Sequence, residues 1–262
     1  MVTSPLLRLP LEVRRIIYAF ALPFATNAPE RQAANVLAER LMAELDWAAW
    51  ANHPTVCNVK GRDAVWTRGC TALLAVSKQV HEETAAMLYG DNKFIVNIKF
   101  DGISFYLRWR TSQDLTLNRT YSFFGHLSQR NLLRIRHYVV NVELVDEYTG
   151  MIKYNCGGQG LPAGMRAQVR QLVELMAGVE NLQAVNINLF HSPSGADTAF
   201  GRTSSEPQKG KEEAQAREVL APFACLREVR RIEMTGVSEQ HMKDLRRMMT
   251  APKSKPAISE CN

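Results

Sequence analysis

The order of apolar and polar residues predicts an amphipathic helix near the start of the chain, within residues 9–24. Pro10 suits the first turn of a helix and Pro23 ends it, whereas Arg14 and Arg15 face away from the apolar side. The apolar side is a stripe of residues at i, i+3, i+4 and i+7, namely Val13, Ile16, Ile17 and Phe20. A helix of about three turns is unstable alone, so we expect this stripe to be buried either in the protein's own core or against another protein.

Helical periodicity returns in five further segments, which are residues 30–50, 72–88, 165–176, 211–220 and 238–249. The segment 72–88 places apolar residues on one face, and Lys78, Glu82 and Glu83 are expected on the opposite, solvated face. Gly90 begins a polar turn that ends this helix.

Four segments alternate apolar and polar residues with the period of a β-strand: 94–100, 140–144, 185–189 and 232–234. Their central residues Val96, Val142, Ile187 and Ile232 are 46, 45 and 45 residues apart, which suggests a repeated unit. Since helices lie between these strands, we predict an α/β (or α+β) fold with a parallel-leaning sheet of about four strands and crossover helices. The plan is loosely leucine-rich-repeat-like, and the alternative is an ordinary α/β sheet whose crossovers have similar lengths.

These elements predict two domains and a tail. Residues 5–92 form a helical region with an inserted helix and loop at 25–70, and residues 93–250 form the α/β repeat-like domain. A mobile loop is expected at 192–212, and residues 251–262 are expected to be a disordered tail.

Composition favours a soluble intracellular protein, cytoplasmic or nuclear. Hydrophobic residues make up 46% of the chain and charged residues 22%, which is ordinary for a globular domain. Apolar runs are too short for a membrane span, and no secretory signal is recognisable. The five cysteines are odd in number and scattered, so reduced thiols are expected rather than disulfides.

The net charge of +6 permits an acidic partner without requiring one. Arg134 and Arg136 lie at the entrance of one predicted strand, and Arg230 and Arg231 lie at the entrance of another. These four residues could form a basic edge that binds phosphate or nucleic acid. Scattered solvated charge is the favoured interpretation, so nucleic acid is not the expected partner.

The sequence offers no convincing catalytic, cofactor or metal site. His81 precedes Glu82 and Glu83 without the second histidine of a zinc-protease helix. The glycines that follow Cys156 lack the lysine of a phosphate-binding loop. Four possible zinc ligands match no known spacing, namely His53, Cys57, Cys70 and His81. We therefore predict a protein that is not an enzyme and has no cofactor or metal.

Three short motifs together carry a family resemblance. They are Leu9-Pro10-x-Glu12-x-x-x-x-Ile17-Tyr18, then Leu73-Leu74-x-Val76-Ser77-Lys78-Gln79-Val80-x-x-Glu83, then Leu88-Tyr89-Gly90-x-Asn92-x-Phe94. The combined pattern resembles the F-box-like proteins of filamentous fungi. The resemblance implies that the first helix and the helix that contains Val76-Ser77-Lys78 form an F-box hairpin. Such a hairpin docks the Skp-type adaptor of a cullin-RING ubiquitin ligase, while the downstream domain captures a protein target.

Two functional hypotheses follow from the resemblance. In the first, the chain is a ligase adaptor whose docking residues are Leu9, Pro10, Ile16, Ile17 and Val76. In the second, it is a stand-alone interaction module whose F-box-like helices are structural core. The second hypothesis arises because 50 positions separate Pro23 from Leu73, whereas an ordinary F-box has a short connection between its helices. The helix predicted within this insertion, at 31–50, could cover the stripe.

Overall fold

The computed structural model describes residues 4–27, 64–107, 109–110, 119–144, 161–191 and 206–253. Two compact units divide the chain: residues 1–97 with 103–139, and residues 98–102 with 140–262. The predicted helix at 31–50 and the residues Cys57, Cys156 and Cys261 lie outside the described residues.

The described α-helices are α1 (Leu11–Ala21), α2 (Lys78–Gly90), α3 (Phe123–His126), α4 (Gln129–Leu132), α5 (Leu161–Ala177), α6 (Glu206–Leu220) and α7 (Glu239–Thr250). Short 3-10 helices occupy Pro5–Arg8, Thr71–Ala75 and Ala221–Cys225. The strands are β1 (Phe24–Asn27), β2 (Ala64–Thr67), β3 (Lys93–Lys99), β4 (Gly102–Leu107), β5 (Trp109–Arg110), β6 (Arg119–Ser122), β7 (His137–Leu144), β8 (Ala184–His191) and β9 (Arg231–Thr235).

The fold is mixed α/β, as predicted, with a six-stranded sheet in the order β6-β4-β3-β7-β8-β9 and a three-stranded sheet in the order β1-β2-β5. The four predicted strands are β3, β7, β8 and β9. They lie side by side in the sheet, in the same order as they occur along the chain. Strand β8 pairs with β9 in parallel, whereas β4 pairs with β6 antiparallel. The sequence prediction missed β4 and β6, so the sheet is two strands wider than expected.

Helices α1 and α2 share a core in the first unit. Tyr18, Leu22 and Val80 are buried together, and partly buried apolar residues pack against them, namely Leu6, Leu7, Leu73 and Met87. The predicted helix at 72–88 is two elements, because α2 begins only at Lys78. The hydroxyl of Ser77 caps α2 by accepting a hydrogen bond from the backbone N–H of Val80, at 3.3 Å. A serine that binds the backbone in this way favours a helix start over a helix interior.

The two ends of the predicted insertion meet in an antiparallel ladder. Phe24 lies opposite Thr67 and Asn27 lies opposite Ala64. The prediction of a helix and loop throughout the insertion at 25–70 is therefore wrong for residues 64–67, which form β2. Gly69, two residues after β2, lies against the end of α1, where a Cβ would come within 2.4 Å of the backbone of Leu22. Only glycine allows this approach.

Asn92 joins the end of α2 to the start of this ladder. Its Oδ1 accepts a hydrogen bond from the backbone N–H of Ala25 at 2.6 Å, and its Nδ2 donates to the carbonyl of Leu88 at 2.8 Å. The side chain is buried, so it supplies partners that the backbone would otherwise lack. The hydrogen bonds of Asn92 thus explain why an asparagine follows the end of α2.

Helix α5 organises the core of the second unit. The five apolar residues that predict it are all buried, namely Met165, Val169, Leu172, Val173 and Met176. Helix α6 begins at Glu206, five residues before the predicted start, so the expected loop at 192–212 is wrong for residues 206–212. Pro207 fits the first turn of this helix, because proline lacks an N–H that would have no intrahelical partner there. Residues 192–205 lie outside the described part of the chain.

The repeat in the second unit has a period of 47 residues. In the β8–β9 register Ala184 lies opposite Arg231 and Asn188 lies opposite Thr235. Asn188 Nδ2 donates to Asn141 Oδ1, 47 residues earlier, and accepts at Oδ1 from Thr235 Oγ1, 47 residues later, both at 2.8 Å. The predicted spacing of 45 residues is thus two short. Because side chains alternate with period two, a shift by two leaves the same residues facing the core.

The first residues of the predicted tail are ordered. The carbonyl of Ala251 accepts a hydrogen bond from the N–H of Glu228 at 3.0 Å, and the N–H of Lys253 donates to the Glu228 carboxylate at 3.3 Å. The prediction of a disordered tail is therefore wrong for residues 251–253. Residues 254–262 lie outside the described ones.

Candidate docking surface

Helix α1 buries a polar side and exposes its apolar stripe. Arg14 faces away from the stripe, as predicted, but it is buried together with Tyr18. All four stripe residues are exposed: Val13, Ile16, Ile17 and Phe20. Ile16 is 59% and Phe20 89% accessible, which is unusual for large apolar side chains on a helix. The stripe is therefore not part of the core that α1 shares with α2.

A polar cluster holds Arg14 and Tyr18 against α2. The guanidinium of Arg14 forms two parallel hydrogen bonds with Glu83, Nε to Oε2 at 2.9 Å and Nη2 to Oε1 at 2.6 Å. The Tyr18 hydroxyl donates to Glu83 Oε2 at 3.0 Å, and Gln79 Nε2 donates to Oε1 at 3.0 Å. The prediction of a solvated Glu83 is thus wrong. Four donors on one carboxylate fix the rotation of α1 about its own axis relative to α2.

The cluster shifts the ionisation of its members. Hydrogen bonding from Arg14 lowers the pKa of Glu83 to about 2, and Gln79 and Tyr18 reinforce this. The same bond raises the pKa of Arg14, while burial is the main cause that raises the pKa of Tyr18. Glu83 is therefore ionised over the whole physiological pH range, and the cluster persists there.

The Arg14 side chain also fixes the chain before α1. Its Nη1 donates to the carbonyl of Leu9 at 2.5 Å, directly before Pro10, the N-cap residue of α1. Leu9 and Pro10 are exposed, as is Leu11. The buried arginine thus holds the Leu9-Pro10 corner in place while leaving its side chains in solvent.

Val76 lies at the junction between the 3-10 helix Thr71–Ala75 and α2, and it is 62% accessible. Nδ1 of His81 lies 2.7 Å from the carbonyl of Leu74, which fastens the 3-10 helix to α2. The five predicted docking residues are thus exposed and lie within one compact unit. Sequence reasoning missed the supporting residues Arg14, Tyr18 and Glu83, although the i, i+4 spacing of the first two is a usable signal.

Two of the four residues of the predicted basic edge, Arg134 and Arg231, form local ion pairs. Arg134 pairs with Glu82, and Arg130 joins the same carboxylate at 2.9 Å. Arg231 pairs with Glu233 at 2.6 Å. Arg136 is half-buried and Arg230 is exposed. Glu82 therefore has two cationic partners rather than only the solvated environment predicted for it.

The described residues offer little metal or thiol chemistry. No group of three or more His, Cys, Asp or Glu side chains among them could hold a metal ion. Cys70 and Cys225 are exposed and unpaired thiols. Two of the four possible zinc ligands named above, His53 and Cys57, lie outside the described residues.

Each helix in the described ranges is too short or too polar to cross a membrane.

Comparison with known proteins gives one match. No curated protein matches the chain, and no solved structure matches it. A sequence profile described as a domain of unknown function, DUF7730, matches residues 2–209. That span is well over half of the chain and includes the whole α1–α2 region, so the protein belongs to the DUF7730 family.

Proposed function

We propose that this protein is a non-enzymatic F-box-type adaptor, in which α1 docks the Skp-type adaptor of a cullin-RING ubiquitin ligase and the remainder presents a protein target. The observation that carries the proposal is the exposed apolar stripe of Val13, Ile16, Ile17 and Phe20. Soluble proteins rarely leave such a stripe in water, and contiguous apolar surface marks interaction sites. The proposal places the chain inside the cell, in the cytoplasm or nucleus.

The docking surface is defined by the stripe together with Leu9, Pro10 and Val76. A partner helix or groove would bury these side chains, and each large one would contribute roughly 1.5–3 kcal/mol of apolar transfer before the costs of association. The Arg14–Glu83 cluster supports the proposal, because it holds the stripe outward before any partner arrives. A preorganised surface loses less entropy on binding.

The three motifs that resemble fungal F-box-like proteins fall on the elements that build this surface. Leu9 and Pro10 precede α1, and Val76 precedes α2. The alternative of a stand-alone interaction module requires the same helices to act only as core. The exposure of the stripe favours the adaptor, whereas the shared core of Tyr18, Leu22 and Val80 fits both hypotheses.

The test is calorimetric titration of the purified full chain with a purified Skp-type adaptor. We expect saturable binding that weakens at least about tenfold in the Ile16→Asp/Ile17→Asp variant and in the Leu9→Ala/Pro10→Ala variant. Arg15→Ala is the matched control, because Arg15 is exposed on α1 outside the stripe and, among the described residues, has a single long ion pair, with Asp91 at 3.7 Å. It should bind within about twofold of the wild type.

Three results would count against the adaptor. The first is a folded wild-type chain that does not bind. The second is a docking variant that binds as well as Arg15→Ala. The third is an Ile16→Asp/Ile17→Asp chain that no longer folds, which would identify the stripe as core and favour the stand-alone module.

A further inference from the structure

A cavity of about 320 Å³ opens in the second unit, separate in sequence from the docking surface. It lies where α5 ends, at Met176 and Ala177, and beside the two turns that precede β8 and β9. Its buried apolar lining comes from Met176, Val179, Leu182 and Leu226. This volume suits a small organic molecule.

The polar lining of the cavity is predominantly cationic. Arg227, Arg230 and Lys253 line it, against one carboxylate from Glu228. Arg227 Nη1 donates to the carbonyl of Leu226 at 2.8 Å and also to that of Ala224, which holds its guanidinium in place. Within the described ranges, no carboxylate forms an ion pair with Arg230 or with the ammonium of Lys253. The lining thus carries two positive charges in excess.

The backbone around the cavity is unusual. Asn181 and Glu228 are the two non-glycine residues in the described ranges with positive φ, at 63° and 58°, and both line the cavity. Glutamate adopts this conformation rarely. The N–H of Glu228 donates to the Ala251 carbonyl at 3.0 Å, and the Glu228 carboxylate accepts from the N–H of Lys253 at 3.3 Å, which holds the residue in place. Backbone strain of this kind concentrates at ligand-binding positions, and the contacts give the cavity a fixed wall.

We infer that this cavity binds a small organic anion, whose phosphate or carboxylate head group contacts Arg227, Arg230 and Lys253 and whose apolar body packs on Leu182 and Leu226. Guanidinium groups match both head groups with paired N–H donors. The apolar lining adds burial that an inorganic ion could not use. This site is independent of docking at α1, so either can exist without the other.

The test uses the full chain and four probes in calorimetry: phenyl phosphate, benzoate, benzyl alcohol and inorganic phosphate. We expect phenyl phosphate or benzoate to bind at least about tenfold more tightly than benzyl alcohol and inorganic phosphate. A preference for phenyl phosphate or for benzoate then identifies the head group, and either preference supports the inference.

Two neighbouring arginines provide a matched pair of variants. Arg230→Gln removes a charge that lines the cavity, and the bound anion should be held at least about tenfold more weakly. Arg231→Gln removes an exposed charge that pairs with Glu233 and does not line the cavity, so binding should stay within about twofold. Ala177→Trp, at an exposed position on the cavity wall, should block the phenyl ring. Circular dichroism and thermal melting of each variant show that it is folded.

The inference is overturned if neither anion binds saturably at concentrations up to about 10 mM. It is also overturned if benzyl alcohol binds as well as the anions, because the cationic lining would then have no role. Equal weakening by Arg230→Gln and Arg231→Gln would mean diffuse attraction to surface charge rather than a site.

Discussion

Helices α1 and α5 have the same apolar period and bury opposite sides. In α5 every residue of the apolar face is buried, for example Leu172 at 0% accessibility. In α1 the corresponding face is exposed, and Arg14 and Tyr18 are buried instead. The comparison teaches that amphipathic periodicity identifies an apolar face but does not say what covers it. Which face is buried depends on the hydrogen-bonding and packing partners that a neighbouring element supplies.

For α1 the neighbouring element supplies Glu83. Its carboxylate accepts from Arg14, Tyr18 and Gln79, so the buried polar groups keep their hydrogen bonds. A buried ion pair is about neutral in free energy compared with apolar residues of similar volume. Exposing the stripe therefore adds little to the stability of the isolated chain, and the exposed apolar face supports the docking role proposed above.

The largest expected effect is in α5. Leu172→Ala should lower the free energy of unfolding by about 3–4 kcal/mol, because it removes a fully buried side chain and leaves a cavity. Urea denaturation of the full chain measures this. Leu172→Met is the volume-conserving control and should lose less than about 1.5 kcal/mol. An alanine variant as stable as the wild type would remove α5 from the core and break the comparison.

Glu83→Ala should be nearly as damaging, with a loss of about 3 kcal/mol, because it leaves Arg14 and Tyr18 buried without their acceptor. Glu82→Ala is the control one position earlier. Glu82 is more exposed and forms ion pairs with Arg130 and Arg134, so its loss should stay under about 1 kcal/mol. Equal effects would mean that Glu83 does not fix the rotation of α1.

The same carboxylate predicts a pH dependence. Hydrogen bonding from Arg14 holds the pKa of folded Glu83 at about 2, below its ordinary value of 4.5. Its stabilising contribution is therefore complete above pH 4.5 and is lost as pH falls towards 2. Denaturation between these pH values should show a steeper loss for the wild type than for Glu83→Gln. Parallel curves would contradict the assignment.

A smaller effect is expected in the asparagine ladder of the 47-residue repeat. Asn188→Ala should cost about 2 kcal/mol, because buried Asn141 and half-buried Thr235 each lose a hydrogen bond. Asn186→Ala, two residues earlier on β8, is the matched control, since its Oδ1 has no hydrogen bond within the described ranges. It should cost less, under about 1 kcal/mol. If Asn186→Ala lowered the stability more than Asn188→Ala, the hydrogen bonds of Asn188 would not be the stabilising ones on this strand.

The smallest effect should come from the stripe of α1. Ile16→Asp should change the free energy of unfolding by less than about 0.5 kcal/mol, because the side chain is 59% accessible. Set beside Leu172→Ala, it measures directly how differently the two apolar faces are used. An unfolded Ile16→Asp variant would show that the stripe is covered in the folded chain.

The fold class and much of its core could be predicted from sequence, because apolar residues in α5, β3, β7, β8 and β9 repeat with clear periods. The period of 47 could not be separated from 45, since a strand shifted by two presents the same face. The start of α2 was missed because the apolar pattern runs through Ser77, whose hydroxyl caps the helix there. The sequence prediction did not identify β4 and β6, which pair with each other at one side of the sheet.

For the candidate site, sequence reasoning identified Leu9, Pro10, Ile16, Ile17 and Val76 but could not say whether they are exposed. Their supporting residue Glu83 was placed on the wrong face, because an ionisable residue on an amphipathic helix is normally solvated. The contacts that reverse this expectation join residues 65 and 69 positions apart. No local pattern contains them.

The sequence by itself determined which residues are apolar, where most helices and strands lie, and that the class is α/β, since these follow from local period and chain chemistry. The tertiary structure alone decided which side of α1 is buried, which arginines line a cavity, and which strands are neighbours. The physical reason is that hydrogen bonds and ion pairs between distant residues can outweigh the local tendency of an apolar face to turn inward.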